Sequence, residues 1–225
     1  VFNPGSGSYS TGQVWWGHPS TTAGDAGNEQ GNGNPSFYFW GASVEKGSFL
    51  SSYIPTTGST VTRGADLVKV DGEEFSEFYN PIESTILIDY THDITSSQLG
   101  TDQRVYRFRA VGGSDTRIDY VSNSGFNPYI AKDGSAVASI SHGQSTVFGG
   151  GVNRSAVRVK EDSFGVSFNG SAVVEDTSGA WNPTNTITEL TLGSSDGGSA
   201  LNGHIQRFMY YSTGLPNSQL VTLTS

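Results

Sequence analysis

Cleaving a glycosidic bond takes two carboxyl groups roughly 5–10 Å apart, and this sequence has few ways to supply them. Alternate residues of a strand share a face, so a Glu-x-Asp-x-x-Glu spacing would set up such a group, and the chain lacks it. Glu73, Glu74 and Glu77 crowd the stretch DGEEFSE over 71–77, which reads as a strand opening beside a turn, with a solvated acidic edge. Asp89 stands inside the apolar run STILIDY over 84–90. It is either an outward-facing residue met by water or an arginine, or the acid of an atypical catalytic site. Arg104, Tyr106, Arg107 and Arg109 fall together in RVYRFR, the side-chain types a lyase uses to neutralise a uronate and take its proton. Alternation separates them. Tyr106 and Phe108 share one face, Arg107 and Arg109 the other, with Arg104 on the tyrosine's side at the wet start of the strand. The Arg107/Arg109 face therefore reads as ion-pairing to Asp or Glu on an adjacent strand, with acidic-glycan binding as the functional alternative.

Metal and nucleophile chemistry find less support. His18, His92, His142 and His204 show no His-x-His or His-x-x-x-His spacing, which argues against zinc. Asp115, Asp133, Asp162, Asp176 and Asp196 sit near turns and could contribute to a calcium site with backbone oxygens. None has EF-hand spacing, so calcium is the one cofactor left open and no other is expected. No serine elbow, phosphate loop or dinucleotide fingerprint occurs. Gly149 to Gly151 follow Phe148 without a helix or lysine behind them and read as a loop or bulge. No catalytic residue is assigned.

Sugar binding needs flat rings beside amides or carboxylates, because the ring takes the sugar's C–H face while the polar groups take its hydroxyls. Trp15 and Trp16 in a polar loop, Tyr79 with Asn80, and Trp181 with Asn182 are the candidates. The competing reading is that the rings fill a core, and for Trp40 that is the better one.

The 225 residues carry a formal charge of −9. Phosphate binding needs clustered Lys and Arg, and only 12 such residues are scattered through the chain, which argues against nucleic acid. Cysteine is absent, removing disulfides and thiolate ligands together. No apolar run approaches the roughly 18 residues of a membrane span, and no basic-then-apolar leader opens the chain. It starts at Val1 rather than Met, as a processed or partial product would. Apolar residues make up only 34% while aromatics reach 12%, the balance of short strands joined by Gly, Ser, Asn and Asp turns with large rings filling the core.

Along the chain, residues 1–36 are rich in Gly, Ser, Asn and Thr. Residues 21–35 read as a long loop, and Phe37 to Trp40 as a short strand stopped by Gly41. From Leu67 onward strands recur at turn-separated intervals: 84–90, 105–111, 117–121, 136–141, 155–159, 165–168, 188–192 and 205–211. Asn169-Gly170 is a type I′ hairpin signal. A short helix is predicted after Pro216, with Leu220 and Leu223 facing inward. Strand following strand without interleaved helices implies an antiparallel β-sandwich, with residues 1–64 as an N-terminal extension or partial sandwich and residues 65–225 as the main domain.

Residues 40–66, WGASVEKGSFLSSYIPTTGSTVTRGAD, resemble a junction of bacteriophage structural proteins, WGxxxExGxxxxSYIPTxGxxxTRxAD. There it leads into a laminin G-like, concanavalin A-like sandwich. The later pieces FGVSFNG (164–170), LTLG (190–193), LNGHIQR (201–207), Tyr210-Tyr211 and LPNSQL (215–220) resemble, in order, that jelly roll's closing strands. The two resemblances cover roughly residues 37–225 and are structural in content. They imply an all-β fold in which Trp40, Tyr53, Arg63 and Asp66 hold the junction, Arg63 by forking onto a carboxylate. They further imply a virion protein, a tail fibre, spike or capsid decoration, made in the bacterial host cytoplasm. Its expected partners are other virion subunits and a host cell-surface glycan, with a homo-oligomer such as a trimer as the assembly. The missing catalytic spacing argues for adhesion without chemistry. The alternatives are a polysaccharide depolymerase, hydrolase or lyase, built around Asp89 or the Arg107/Arg109 face, and a purely structural assembly module.

Overall fold

The computed structural model describes residues 41–43, 52–62, 64, 66–98, 102–111, 117–122, 126–140, 146–181, 187–194 and 199–225. The chain divides into two compact units, Val1–Ser59 and Thr60–Ser225. Within the first, the ring of Tyr53 comes to 4.0 Å from where a Cβ on Gly41 would stand, and one side of that ring stays exposed. Trp40 and Arg63 lie outside the described residues.

The second unit is a sandwich of two antiparallel sheets. One has the order β1 (Val68–Asp71), β10 (Glu189–Leu192), β3 (Gln103–Arg109), β4 (Arg117–Ser122), β5 (Phe126–Lys132), β6 (Ser135–Ala136). The other has the order β11 (Ile205–Tyr211), β2 (Glu83–Thr91), β7 (Val152–Lys160), β8 (Phe164–Phe168), β9 (Val174–Asp176). The two-residue period decides what lies between them. Tyr106, Phe108, Ile118, Tyr120, Ile130 and Leu190 face Ile86, Ile88, Tyr90, Val157, Val166 and Phe168 across one continuous core. Strand β2 is buried along nearly its whole length because it is covered on both sides. Its Leu87 joins Ala156 and Leu220 in a second cluster, where α2 (Asn217–Thr224) lies on the outer surface of the five-stranded sheet. Leu220 is wholly buried there and Leu223 packs beside it, as the sequence predicts.

Two local details follow the residue types. Asn169 and Gly170 have φ of +44° and +72°, the type I′ geometry that suits the twist of a hairpin. The acidic stretch after Asp71 corrects the sequence expectation, since it forms the helix α1 (Gly72–Phe78) and not a strand. Phe75 and Phe78 fall on one side of this helix three residues apart. Phe75 drops into the core against Tyr79 and Phe108, while Glu73, Glu74 and Glu77 stay in solvent.

Gly203 marks the tightest approach between β2 and the start of β11. A Cβ there would stand 1.7 Å from the Thr91 carbonyl oxygen, beside the bonds donated by Thr91 N to His204 O and by Asp93 N to Asn202 O. Gly203→Ala should cost about 1–3 kcal/mol, the usual penalty for overpacking, read as a lower urea midpoint. An unchanged midpoint would contradict this approach.

Candidate functional site

Strands β3 and β4 place arginines on the face of the six-stranded sheet turned away from the core. Register pairs Arg107 with Asp119 on β4 and Thr191 on β10, and Arg109 with Arg117 and Glu189. Alternation thus sends Arg107 and Arg109 opposite to Tyr106, and both ion-pair to carboxylates on adjacent strands, as their spacing predicts. Arg104 differs from expectation. The ladder is irregular between Arg104 and Tyr106, and this bulge turns Arg104 onto the arginine face.

Asp119 lies at the centre of the cluster, its side chain 1% exposed. Its Oδ2 is 3.3 Å from Arg104 Nε and 3.1 Å from Arg117 Nε, and its Oδ1 is 3.2 Å from Arg107 Nε. The three arginine side chains keep 20%, 15% and 19% exposure in the order 104, 107, 117, so their outer edges reach solvent above a covered carboxylate. Three guanidiniums converge on this one carboxylate. Beside them Arg109 pairs with Glu189, and Lys69 with Asp71 and Glu189. The Arg117 guanidinium also lies 4.7 Å above the Tyr129 ring, a cation–π contact that steadies it. Burial pushes the Asp119 carboxyl above the usual carboxylate range, against the pull of Arg107, Arg104 and Arg117. Burial also lowers Arg107, yet an arginine so lowered remains charged at neutral pH.

Each guanidinium carries five N–H donors in a rigid fork. Arg104 Nε donates to Asp119 Oδ2, while Arg107 and Arg117 stand in ion-pair range of the same carboxylate. A carboxylate or sulfate ester can be met by such forks in paired N–H···O bonds. The sequence singles out Arg104 and Arg107 of this cluster but not Arg117 and Asp119. Their own alternation in RID (117–119) was the available signal, but only the β3–β4 register brings them under Arg107.

The other candidates are placed elsewhere. Asp89 is on the outer side of the five-stranded sheet, where Arg207 approaches through Nε at 2.9 Å and Nη2 at 3.1 Å and Arg154 stands at 3.8 Å. It is an ion-paired residue, as the first of its two readings holds. Tyr106 is wholly buried, so it does not join the arginines in a lyase-like set. Trp181 is 3% exposed within the core, and its Nε1–H donates to the Pro81 carbonyl. Its ring therefore has no open face for a sugar, a correction to the expectation of exposure. Asn80 is likewise occupied, its Nδ2 donating to Ser212 O and its Oδ1 accepting from Ile82 N. Tyr79 stacks on Phe75 and borders a surface cleft. The Trp181–Pro81 bond thus draws Trp181, Tyr79 and Asn80 into one neighbourhood. Trp15, Trp16 and Asn182 lie outside the described residues.

His92 is a buried imidazole against Phe148, its pKa lowered by burial. His204 pairs with Asp93 at 2.8 Å. Among the described residues no three His, Asp or Glu side chains converge as metal ligands. Asp176 accepts bonds from Ser139 N, Ser178 N and Ser178 Oγ, so its oxygens are engaged by the protein. His18, His142, Asp115 and Asp196 lie outside the described residues.

No protein-family model and no curated protein matches the chain. Its fold is shared with solved structures. The carbohydrate-binding module CBM40 of the Ruminococcus gnavus IT-sialidase, bound to α2,3-sialyllactose, superposes with a TM-score of 0.53 at 14% identity, covering 73% of this chain and 95% of the module. A second structure of that module gives 0.52 at 15% identity over 73% and 95%. The NanB sialidase K499G mutant from Streptococcus pneumoniae gives 0.51 at 12% identity, covering 71% of this chain and 27% of that one. This chain shares their antiparallel β-sandwich fold. The likeness shows the fold, and the arginine cluster is this chain's own observation.

Removing one partner of a buried ion pair leaves its mates uncompensated. Asp119→Asn should therefore lose about 3–5 kcal/mol in urea unfolding, partly regained in high salt as guanidinium repulsion is screened. A loss below about 1 kcal/mol, the range of surface pairs, would mean that Asp119 does not hold the cluster.

Proposed function

We propose that this chain is a glycan-binding β-sandwich that takes an acidic sugar on the Arg104, Arg107 and Arg117 face. One observation carries the reading: three part-exposed guanidiniums gather around one buried carboxylate, on a chain whose net charge is −9. A general cation surface would not arise on so acidic a chain by composition. Fixing the arginines beforehand lowers the ordering cost of binding. The fold likeness to a module bound to sialyllactose, itself an acidic saccharide, agrees with this reading.

The setting we propose is a bacteriophage virion. The chain would serve in a tail fibre, spike or capsid decoration, as part of a homo-oligomer among other virion subunits, made in the bacterial cytoplasm and adhering to a host-surface glycan. The support is the 40–66 junction and the closing-strand motifs of the sequence. Adhesion without cleavage is favoured by the pairing of Asp89 with arginines and by the burial of Tyr106 away from Arg107.

A glycan array that includes host surface polysaccharide tests this, with product release followed in parallel. The expected result is retention of acidic glycans, weakened at least about tenfold, some 1.4 kcal/mol, by Arg107→Gln with Arg117→Gln, and no product. Equal binding of neutral glycans, or binding indifferent to the double substitution, would overturn the arginine assignment. Released product would overturn the non-enzymatic reading.

A further inference from the structure

A surface cleft of about 230 Å³ opens between α1, the Tyr79–Pro81 turn and the residues leading into β10. Phe75 and Ile187 form its floor, Tyr79 and Pro81 its wall, and Gly72, Ser76 and Thr188 its rim. Among the described residues no side chain charged at neutral pH lines it. Its mouth is open at Gly72, where an added Cβ would meet no atom within 4 Å. The wall is held rigid from behind, because the Pro81 carbonyl accepts the Trp181 Nε1–H at 3.0 Å and Asn80 is bonded to both Ile82 and Ser212.

We infer that this cleft is a second saccharide subsite, one that takes an uncharged pyranose ring by its C–H face. Size limits the ligand. Pockets for whole drug-sized ligands run from about 300 Å³ upward, whereas an apolar cavity of about 150 Å³ already holds benzene, so this cleft fits a single ring. The lining selects its character, since the Pro81 ring, the Tyr79 side chain and Ile187 present apolar surface and nothing offers a counter-charge. The rim supplies direction. Ser76 Oγ donates to Glu73 O and so retains acceptor capacity, while Thr188 Oγ1 accepts from Val111 N and retains its proton to donate. One acceptor and one donor on residues that line the cleft suit a ring whose hydroxyls stand at its edge. Gly72 follows Asp71 and Thr188 precedes Glu189, so the cleft lies just beyond the Arg109–Glu189 end of that sheet. The inference rests on the chain binding saccharides, and it does not require that the saccharide be acidic.

Titration of the ¹⁵N-labelled chain with a neutral methyl pyranoside, and separately with glucuronate, tests it. Saturable amide shifts at Gly72, Ser76 and Thr188 are expected with the pyranoside, with a Kd of about 1–10 mM as befits one weakly held ring. Ser76→Trp, at an exposed helical position, fills the mouth and should weaken that response at least about tenfold. The Arg Nε–H response to glucuronate should be unchanged in the same variant. Absence of pyranoside shifts at these amides, or shifts indifferent to Ser76→Trp, would overturn the subsite. Loss of the glucuronate response alone would overturn the acidic-sugar reading and leave this one standing.

Discussion

Asp119 and the arginines around it exist on mutual terms. A carboxylate covered to 1% exposure is costly to desolvate, and three guanidiniums gathered within a few ångströms repel one another. Each solves the other's problem, with Nε–oxygen distances of 3.1–3.3 Å. The arginine side chains meanwhile keep 15–20% of their surface in solvent, which is the part of the cluster that a ligand can reach.

The sandwich makes the arrangement by simple geometry. Antiparallel strands lie about 4.8 Å apart with side chains alternating between faces, so a charged residue on β3 meets one on β4 only when the register is right. The bulge before Tyr106 adds Arg104 without disturbing the inward row of Tyr106, Phe108, Ile118 and Tyr120. The two sheets then take different roles outside the core. The five-stranded sheet is covered in part by α2, clamped by Arg158, which donates to Leu215 O and Asn217 Oδ1 as well as Glu175. The six-stranded sheet carries the Asp119 cluster on its outer face.

Local chemistry was legible in the sequence, and pairing was not. Most strands from 84–90 to 205–211, the Asn169-Gly170 hairpin and the helix after Pro216 follow from residue type and spacing alone. The expected strand at 136–141 shrinks to β6 at Ser135–Ala136, and β5 at Phe126–Lys132 is not among the expected strands. The opposition of Arg107 and Arg109 to Tyr106 follows from the period of two. Asp119 could not be found this way, because nothing in RIDYV says which strand lies beside it. The segment after Asp71 misleads because Gly and three glutamates resemble a turn and a wet edge. Phe75 and Phe78, three apart, are the helical signal outweighed there. Trp181, between Gly179 and Pro183, has the local composition of an exposed loop. Its burial depends on a bond to Pro81, a hundred residues away in the chain.

The most direct measurement is calorimetric titration of the chain with one acidic oligosaccharide and with the same oligosaccharide after its carboxyl has been reduced to an alcohol. The two ligands share every ring and linkage and differ only in the charge that the arginine face is held to read. Heat and saturation are expected with the acid, falling as salt is raised, with binding at least about tenfold weaker for the alcohol. Equal affinity for the two would be the contradicting result, since recognition would then owe nothing to the arginines around Asp119.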